Sequence, residues 1–259
     1  MNLRPFVSIC TVTYQRPGPL RLLERRIQEQ TYSLEKIQWV ILDDSPQPHE
    51  HYSKINTTNS RLQIKYIHLS EKLPLGKKRN ISHLHCDGEI IVYMDDDDFY
   101  PPSRVEHAVE SLLKSGKEIA GASAMPILFI NNIELWMAGP YAENHATANT
   151  FAFKRSLLEN NSYKNEDTCG EEKAFLKNYT VPMVQLEPFQ TVVCISHGSN
   201  TYDKSQMLPN PGTNYNPEYR MRKLDNLSES QVKSLVMIAQ EHLTAGLTFP
   251  VQHGRDLKF

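Results

Sequence analysis

An unbroken apolar run, Ile90-Ile91-Val92-Tyr93-Met94, stops at four consecutive aspartates, Asp95 to Asp98, and hydrophobes resume at Phe99-Tyr100. A strand with no polar alternation has both faces covered, which points to a sheet packed between helices. Acids at the end of such a strand fit the way open α/β sheets bind ligands, beyond the carboxyl ends of their strands. Four adjacent carboxylates also repel one another, so positive charge must lie close by. A divalent cation is the first candidate, because Mg²⁺ and Mn²⁺ take hard oxygen ligands. Acidic runs on surfaces are ordinarily solvated charge, but the hydrophobes on both sides argue against that here.

The first 115 or so residues repeat the strand–helix alternation. Phe6 to Thr13, Ile37 to Leu42 and Leu62 to Ile67 read as further strands. Helices are expected over 17–30, where Leu20, Leu23 and Ile27 share a face, over 75–84, and from Pro101 to about Leu113, with Gly116 as a stop. This order implies βαβ units and a mostly parallel sheet. Residues 45–60 are polar and read as a long loop. Farther on, Glu118 to Ile130 and Ile133 to Ala138 read as a hairpin added to that sheet, with its turn at Asn131-Asn132. Gly170 to Asn178 reads as a helix, and Val181 to Leu186 with Thr191 to Ser196 as a final strand pair. The stretch from Tyr202 to Asn226 reads as a wrapping segment, and Ser228 to Leu243 as an amphipathic helix capped by Ser228. The expected division is a main domain over 1–200 and a C-terminal extension over 201–259, fraying after Thr244.

A formal net charge of −2 gives no field favouring nucleic acid or an anionic membrane, so neither is an expected partner. No apolar run is long enough for a transmembrane segment. Met1 to Pro5 do not resemble a signal peptide, and Cys10, Cys86, Cys169 and Cys194 are scattered without C-x-x-C spacing. Reduced thiols and a cytoplasmic location are therefore expected.

Four short segments occur in a meaningful order: Phe6 to Tyr14, Asp43-Asp44, Gly76-Lys77-Lys78-Arg79-Asn80, and Met94-Asp95-Asp96-Asp97-Asp98. Together they resemble the GT-A fold glycosyltransferases of family 2, over roughly the first 100 residues and more weakly to about residue 200. The resemblance implies a Rossmann-like GT-A domain with a mixed, mostly parallel sheet flanked by helices. It implies inverting transfer from a nucleotide-diphosphate sugar, UDP-linked by preference, to a glycan, protein or small-molecule acceptor, with Mn²⁺ or Mg²⁺ required. A metal bridging the diphosphate would stabilise the leaving group.

By the same resemblance, Asp97 is the expected metal ligand, and Asp95 lies near the ribose and the metal. Asp98 is expected to support the site or cap the loop, and Asp96 has the poorest claim of the four to the donor. Asp44, with Asp43 close behind, is expected to accept a hydrogen bond from the base, against an ordinary turn at a strand end. Thr13 and Tyr14 are expected at the nucleotide, and Arg16 faces the nucleotide or solvent. Lys77, Lys78 and Arg79 open a helix whose N-terminus attracts phosphate, with Arg79 the strongest match; Asn80 can instead stabilise the loop. Glu172 stands where the family has the Asp of a Glu-Asp pair, one methylene longer, and is the expected general base; Glu171 and Asp167 remain alternatives. His197, before Gly198-Ser199-Asn200, is expected to complete the metal shell or touch the diphosphate. Trp136 can stack on a sugar or sit in the core. Two rival readings remain: a nucleotidyltransferase, although the chain has no Gly-rich phosphate loop near Thr11 to Arg16, and an inactive metal- or sugar-binding relic.

Overall fold

The computed structural model describes residues 4–55, 61–210, 213 and 215–248. Strand β1 (Val7–Thr13) is followed by helix α1 (Pro17–Gln28), β2 (Ile37–Asp43), β3 (Gln63–His68), α2 (Leu75–His83), β4 (Ile90–Tyr93) and α3 (Arg104–Ser115). Every residue of β1, β2 and β4 is buried. Their continuous apolar character follows from period two with two covered faces. Val7, Ile9, Ile90 and Val92 join one core cluster, and Cys10, Ile91 and Tyr93 join the other. β1 lies between β2 and β4 and runs parallel to both, while β3 pairs outside β2. The chain thus leaves β1 in one direction for β2 and β3, then returns to its other side for β4. That reversal is a topological switch point, where open sheets leave a crevice.

The second half adds β5 (Ile119–Gly121), β6 (Met125–Phe129), β7 (Glu134–Ala138), β8 (Ala152–Lys154), α4 (Glu172–Phe175), β9 (Met183–Gln185), β10 (Cys194–Ser196), β11 (Tyr215–Asn216), β12 (Met221–Lys223) and α5 (Glu229–Thr244). The main sheet has the order β3-β2-β1-β4-β8-β5-β9, and a second sheet has the order β10-β6-β7-β12-β11. Only β8 runs antiparallel to its neighbours in the main sheet. The mixed, mostly parallel sheet flanked by helices is the architecture that the sequence predicts.

Several elements differ from expectation. The run from Glu118 to Ile130 is two strands in two sheets. It breaks at 122–124, where Ala122 N–H donates to Thr150 Oγ1 and Ser123 N–H to Gln185 Oε1. The β6–β7 hairpin therefore builds the second sheet instead of extending the first. β9 and β10 do not pair with each other; β9 pairs with β5 and β10 with β6, both parallel. The helix expected over 170–178 is the single turn α4, ended by left-handed backbone at Lys177, Asn178 and Tyr179. The segment expected to wrap, 202–226, supplies β11 and β12, and β12 pairs with β7. Trp136 lies in the core, 5% exposed, and has no face free for a sugar.

α5 begins with a capping box: Gln231 N–H donates to Ser228 Oγ while Ser228 N–H donates to Gln231 Oε1. Its Glu241 pairs with Arg25 and Arg26 of α1. Beyond it Leu247 is buried and Thr248 O accepts from Gly198 N at 2.8 Å, so the chain is held at least to residue 248. The expected fraying of 249–259 lies outside the described residues, as do residues 56–60 of the long loop. Among the described residues no helix is long and apolar enough to cross a membrane, and the four cysteines are free.

Candidate active site

Beyond the carboxyl ends of β1 and β4 lies a cleft of about 840 Å³. One wall is Thr13, Tyr14 and Arg16 from the end of β1, and another is Leu75, Lys78 and Arg79 from α2 with Lys72 before it. Asp95, Asp96 and Asp97 form the floor, and Ser199, Thr201 and residues 245–248 close the remaining side. Gln15, with φ 53°, turns the chain between Tyr14 and Arg16, and its N–H donates to Ser45 Oγ at 2.7 Å. A left-handed non-glycine residue at this point is unusual, and the Ser45 contact helps hold it.

The four aspartates have separate surroundings. Asp95 N–H donates to Tyr100 Oη at 2.8 Å, which folds the loop back on itself. Asp95 Oδ1 lies 3.5 Å from Arg79 Nη1; both atoms are buried and neither makes a hydrogen bond among the described residues. Asp96 accepts from Thr13 Oγ1 at 2.5 Å and from Arg16 Nη1 at 3.0 Å. Asp97 Oδ2 accepts from Arg16 Nη1 at 2.6 Å and lies 3.0 Å from His197 Nε2. Asp98 accepts from Ile195 N–H at 2.9 Å and from Asn149 Nδ2 at 2.7 Å, which ties the acid loop to β10.

Positive charge is thus supplied by the protein itself. One guanidinium serves both Asp96 and Asp97, and the two carboxyls separate accordingly. Burial opposes ionisation of Asp97, but Arg16 and His197 outweigh it and hold that carboxyl well below its usual range. Burial and the Asp97 charge push Asp96 up to about 7. The same two causes raise Asp98 to about 7, against the pull of Lys204. Burial also opposes the charge on Arg16, yet Asp97 and Asp96 keep it protonated.

Arg79 is the hub between the cleft and α4. Its Nε donates to Glu171 Oε1 at 2.9 Å, and its guanidinium lies 4.5 Å from the Tyr93 ring centroid. Asn80 donates to Tyr163 O at 2.8 Å and to Asn165 Oδ1 at 2.9 Å, and accepts from Tyr163 N–H. Gly76 lets this segment cross the start of α2, because a Cβ there would stand 2.0 Å from Lys164 O. These contacts fix the approach to Gly170-Glu171-Glu172. Glu171 is buried in its ion pair with Arg79. Neighbouring Glu172, at the first position of α4, has its carboxyl pushed up to about 7, first by burial and then by the Glu171 charge.

The cleft therefore collects Thr13, Tyr14, Arg16, Arg79, Asp95, Asp96 and Asp97. His197 lies behind Asp97 with a fully buried side chain. Glu172 is connected to the cleft through Glu171 and Arg79 rather than lining it. Asp44 lies beneath the cleft: its side chain is 0% exposed, with Oδ2 accepting from Leu73 N–H at 2.8 Å and Oδ1 facing Lys78 Nζ at 3.0 Å. Asp43 accepts from Ser45 N–H and from Tyr66 Oη, the turn expected at a strand end. Lys77 is exposed and Lys78 lines the cleft. Helical spacing held that signal: 78 and 82 share the buried face and 77 does not. Lys72, whose Nζ lies 4.1 Å from the Tyr14 ring centroid, and residues 245–248 had no local signal.

As a metal site this is one edge. Asp97 Oδ2 and His197 Nε2 are 3.0 Å apart, a spacing suited to neighbouring ligands of one small cation. Nδ1 accepts from Ser199 N–H at 3.2 Å, and Nε2 is engaged by Asp97 Oδ2 and by Asn200 Nδ2 at 2.7 Å, so Nε2 would ligate a cation only by giving up these contacts. A carboxylate with an imidazole suits Mn²⁺, and Asp95 lines the same cleft, although its Oδ1 is buried 3.5 Å from Arg79 Nη1. Among the described residues no group of three His, Cys, Asp or Glu side chains is arranged to hold a metal ion, so a cation at this edge would need further ligands from elsewhere.

The family model for glycosyl transferase family 2 matches residues 8–168, more than half of the chain. Among solved structures, a mannosyltransferase from Pyrobaculum calidifontis, PcManGT in complex with GDP-Man and Mn²⁺, superposes with a TM-score of 0.60 at 18% identity, over 80% of this chain and 61% of its own. S. aureus TarS 1-349 superposes with a TM-score of 0.58 at 15% identity, over 73% of this chain and 60% of its own. Its complex with UDP-GlcNAc gives 0.59 at 14%, over 92% and 72%. At these identities the likeness is one of fold, and the chain spans about three fifths of the length of the first two. No curated protein sequence matches.

Proposed function

The chain belongs to glycosyl transferase family 2, and from that premise we propose that it moves a sugar, with inversion and with a divalent metal, from a nucleotide-diphosphate donor to a hydroxyl acceptor. The observation that carries this reading is the gathering of unlike charges in one cleft. Asp95 and Asp97 line the same cleft as Lys78 and Arg79 at the start of α2, with Arg79 Nη1 3.5 Å from Asp95 Oδ1. A metal–diphosphate pair has that same alternation of charge, and a helix N-terminus suits phosphate oxygens. The donors in PcManGT and TarS, GDP-Man and UDP-GlcNAc, support a nucleotide sugar as the class. UDP-linked sugars are the first to test.

Asp97 and His197 would hold the metal. When bound, the metal supplies Lewis-acid stabilisation of charge on the leaving diphosphate. Lys78 and Arg79 add positive charge where the phosphates lie, and Tyr14 offers a ring at the cleft wall. Glu172 takes the proton from the acceptor hydroxyl as its oxygen bonds to the anomeric carbon and the sugar–phosphate bond breaks. The proton ends on the carboxylate and the electron pair on the diphosphate. A carboxyl raised to about 7 is matched to this task, since a base near neutrality is both available and strong. Glu171 is the weaker choice, because Arg79 already engages it. Glycan, protein and small-molecule acceptors all present the required hydroxyl.

Asp97→Ala tests the reading. Metal-dependent donor turnover is expected to fall about 10²–10³-fold or more while the thermal melt shows an intact fold. Unchanged turnover with Mn²⁺ supplied refutes it.

A further inference from the structure

Arg16 makes three short contacts at the cleft. Nη1 lies 2.6 Å from Asp97 Oδ2 and 3.0 Å from Asp96 Oδ1, and Nη2 donates to Ser199 O at 2.5 Å. The oxygen that Nη1 holds is the one 3.0 Å from His197 Nε2. Arg16 and a divalent ion at the Asp97–His197 edge therefore want the same atom. Two cations on one carboxylate oxygen repel strongly, and the buried floor screens them poorly.

Of the other cleft cations, Lys72 is exposed with its Nζ over the Tyr14 ring, and the two on α2 are committed more deeply. Lys78 faces the fully buried Asp44, and Arg79 is bound to the buried Glu171. The Arg16 side chain is 21% exposed, on a long stem at the cleft wall. Its guanidinium can turn into the cleft, where a diphosphate brings negative charge.

We propose that Arg16 is an exchangeable counter-ion: a divalent metal displaces its Nη1 from Asp97, and the freed guanidinium passes to the donor diphosphate. Metal and nucleotide then bind cooperatively, because each provides the condition the other needs. In the absence of metal, Arg16 keeps Asp96 and Asp97 from repelling the loop apart. The proposal rests on the metal-dependent reading above.

Calorimetric titration of MnCl₂ into wild type, Arg16→Ala and Arg16→Gln tests it, alone and with saturating UDP or GDP. Thermal melts check that each variant is folded, and Arg16→Lys serves as the charge-keeping control. Both neutral variants are expected to bind Mn²⁺ alone roughly tenfold tighter than wild type, with Arg16→Lys close to wild type. The gain in Mn²⁺ affinity that UDP or GDP confers on wild type should shrink by a similar factor. Mn²⁺ affinity unchanged or weaker in both neutral variants overturns the competition. Tighter Mn²⁺ binding with the nucleotide coupling intact overturns the hand-over to the diphosphate. Wild-type protein that binds neither Mn²⁺ nor either nucleoside diphosphate overturns the functional reading itself, and this inference with it.

Discussion

Glu172→Gln is expected to make the protein more stable at pH 8 and much less active. Burial first, and the adjacent Glu171 charge second, push the Glu172 carboxyl from its ordinary 4.5 to about 7. A carboxyl raised in the folded state holds its proton more tightly folded than unfolded. Its contribution to stability is complete below about pH 4.5 and is lost as pH rises through about 7. The difference of roughly 2.5 pH units corresponds to ~3.4 kcal/mol at about 1.36 kcal/mol each, and to ~2 kcal/mol after allowing for solvent at a group that is not fully buried. Glutamine has no charge to desolvate. Urea melts at pH 5 and pH 8 should therefore show the two proteins nearly equal at the lower pH and the variant ahead by ~2 kcal/mol at the higher. Asp96 and Asp98 titrate in the same window but are common to both proteins and cancel. In donor–acceptor transfer assays, loss of the base should lower kcat/KM about 10²–10⁴-fold, and wild-type kcat/KM should climb to a plateau above about pH 7. A variant that is less stable than wild type at pH 8, or that keeps wild-type activity and its acidic limb, refutes Glu172 as a strained buried base.

The two lysines at the start of α2 should separate sharply. Lys77→Ala is expected to change stability by no more than ~0.5 kcal/mol and to leave donor affinity intact, whereas Lys78→Ala strands buried Asp44 and should cost about 3–5 kcal/mol along with weaker donor binding. Thermal melts and nucleotide titrations on the pair read both effects. Asp98→Ala removes the acceptor of Ile195 N–H and Asn149 Nδ2, both buried, and is expected to lower stability by ~2–4 kcal/mol in urea melts.

What the sequence disclosed follows how local each cause is. Strands β1, β2 and β4 were legible because two covered faces force a continuous apolar run, and α5 because its capping box lies within four residues. The second sheet was not legible, since β6 and β10 read as apolar runs equally well in either sheet. Only eight residues separate β9 from β10, yet the bridge between Phe99 and Val193 steers the chain across to the other sheet. That pairing spans more than ninety positions and leaves no trace in local periodicity. Lys77 and Lys78 were read together as one basic pair, although the helix phase that separates them was present in Leu75, Arg79 and Ser82.

The aspartate run shows why a cluster's charge does not reveal its chemistry. Four acids in sequence suggest one shared cation, but each side chain leaves the loop toward a different neighbour. Asp95 meets Arg79, Asp96 and Asp97 divide Arg16, and Asp98 takes amide donors from β10 and Asn149 with Lys204 nearby. Two of them, Asp96 and Asp98, are thereby fixed as struts that hold β1 and β10 to the loop. Of the three acids that line the cleft, Asp95 and Asp97 keep 22% and 15% of their side-chain surface exposed against 3% for Asp96, and only Asp97 stands beside an imidazole. Their division is therefore set by strands distant in sequence, β1 through Arg16 and β10 through His197, which is why the alternation of strut and proposed ligand along 95–98 emerges only once the two sheets are joined.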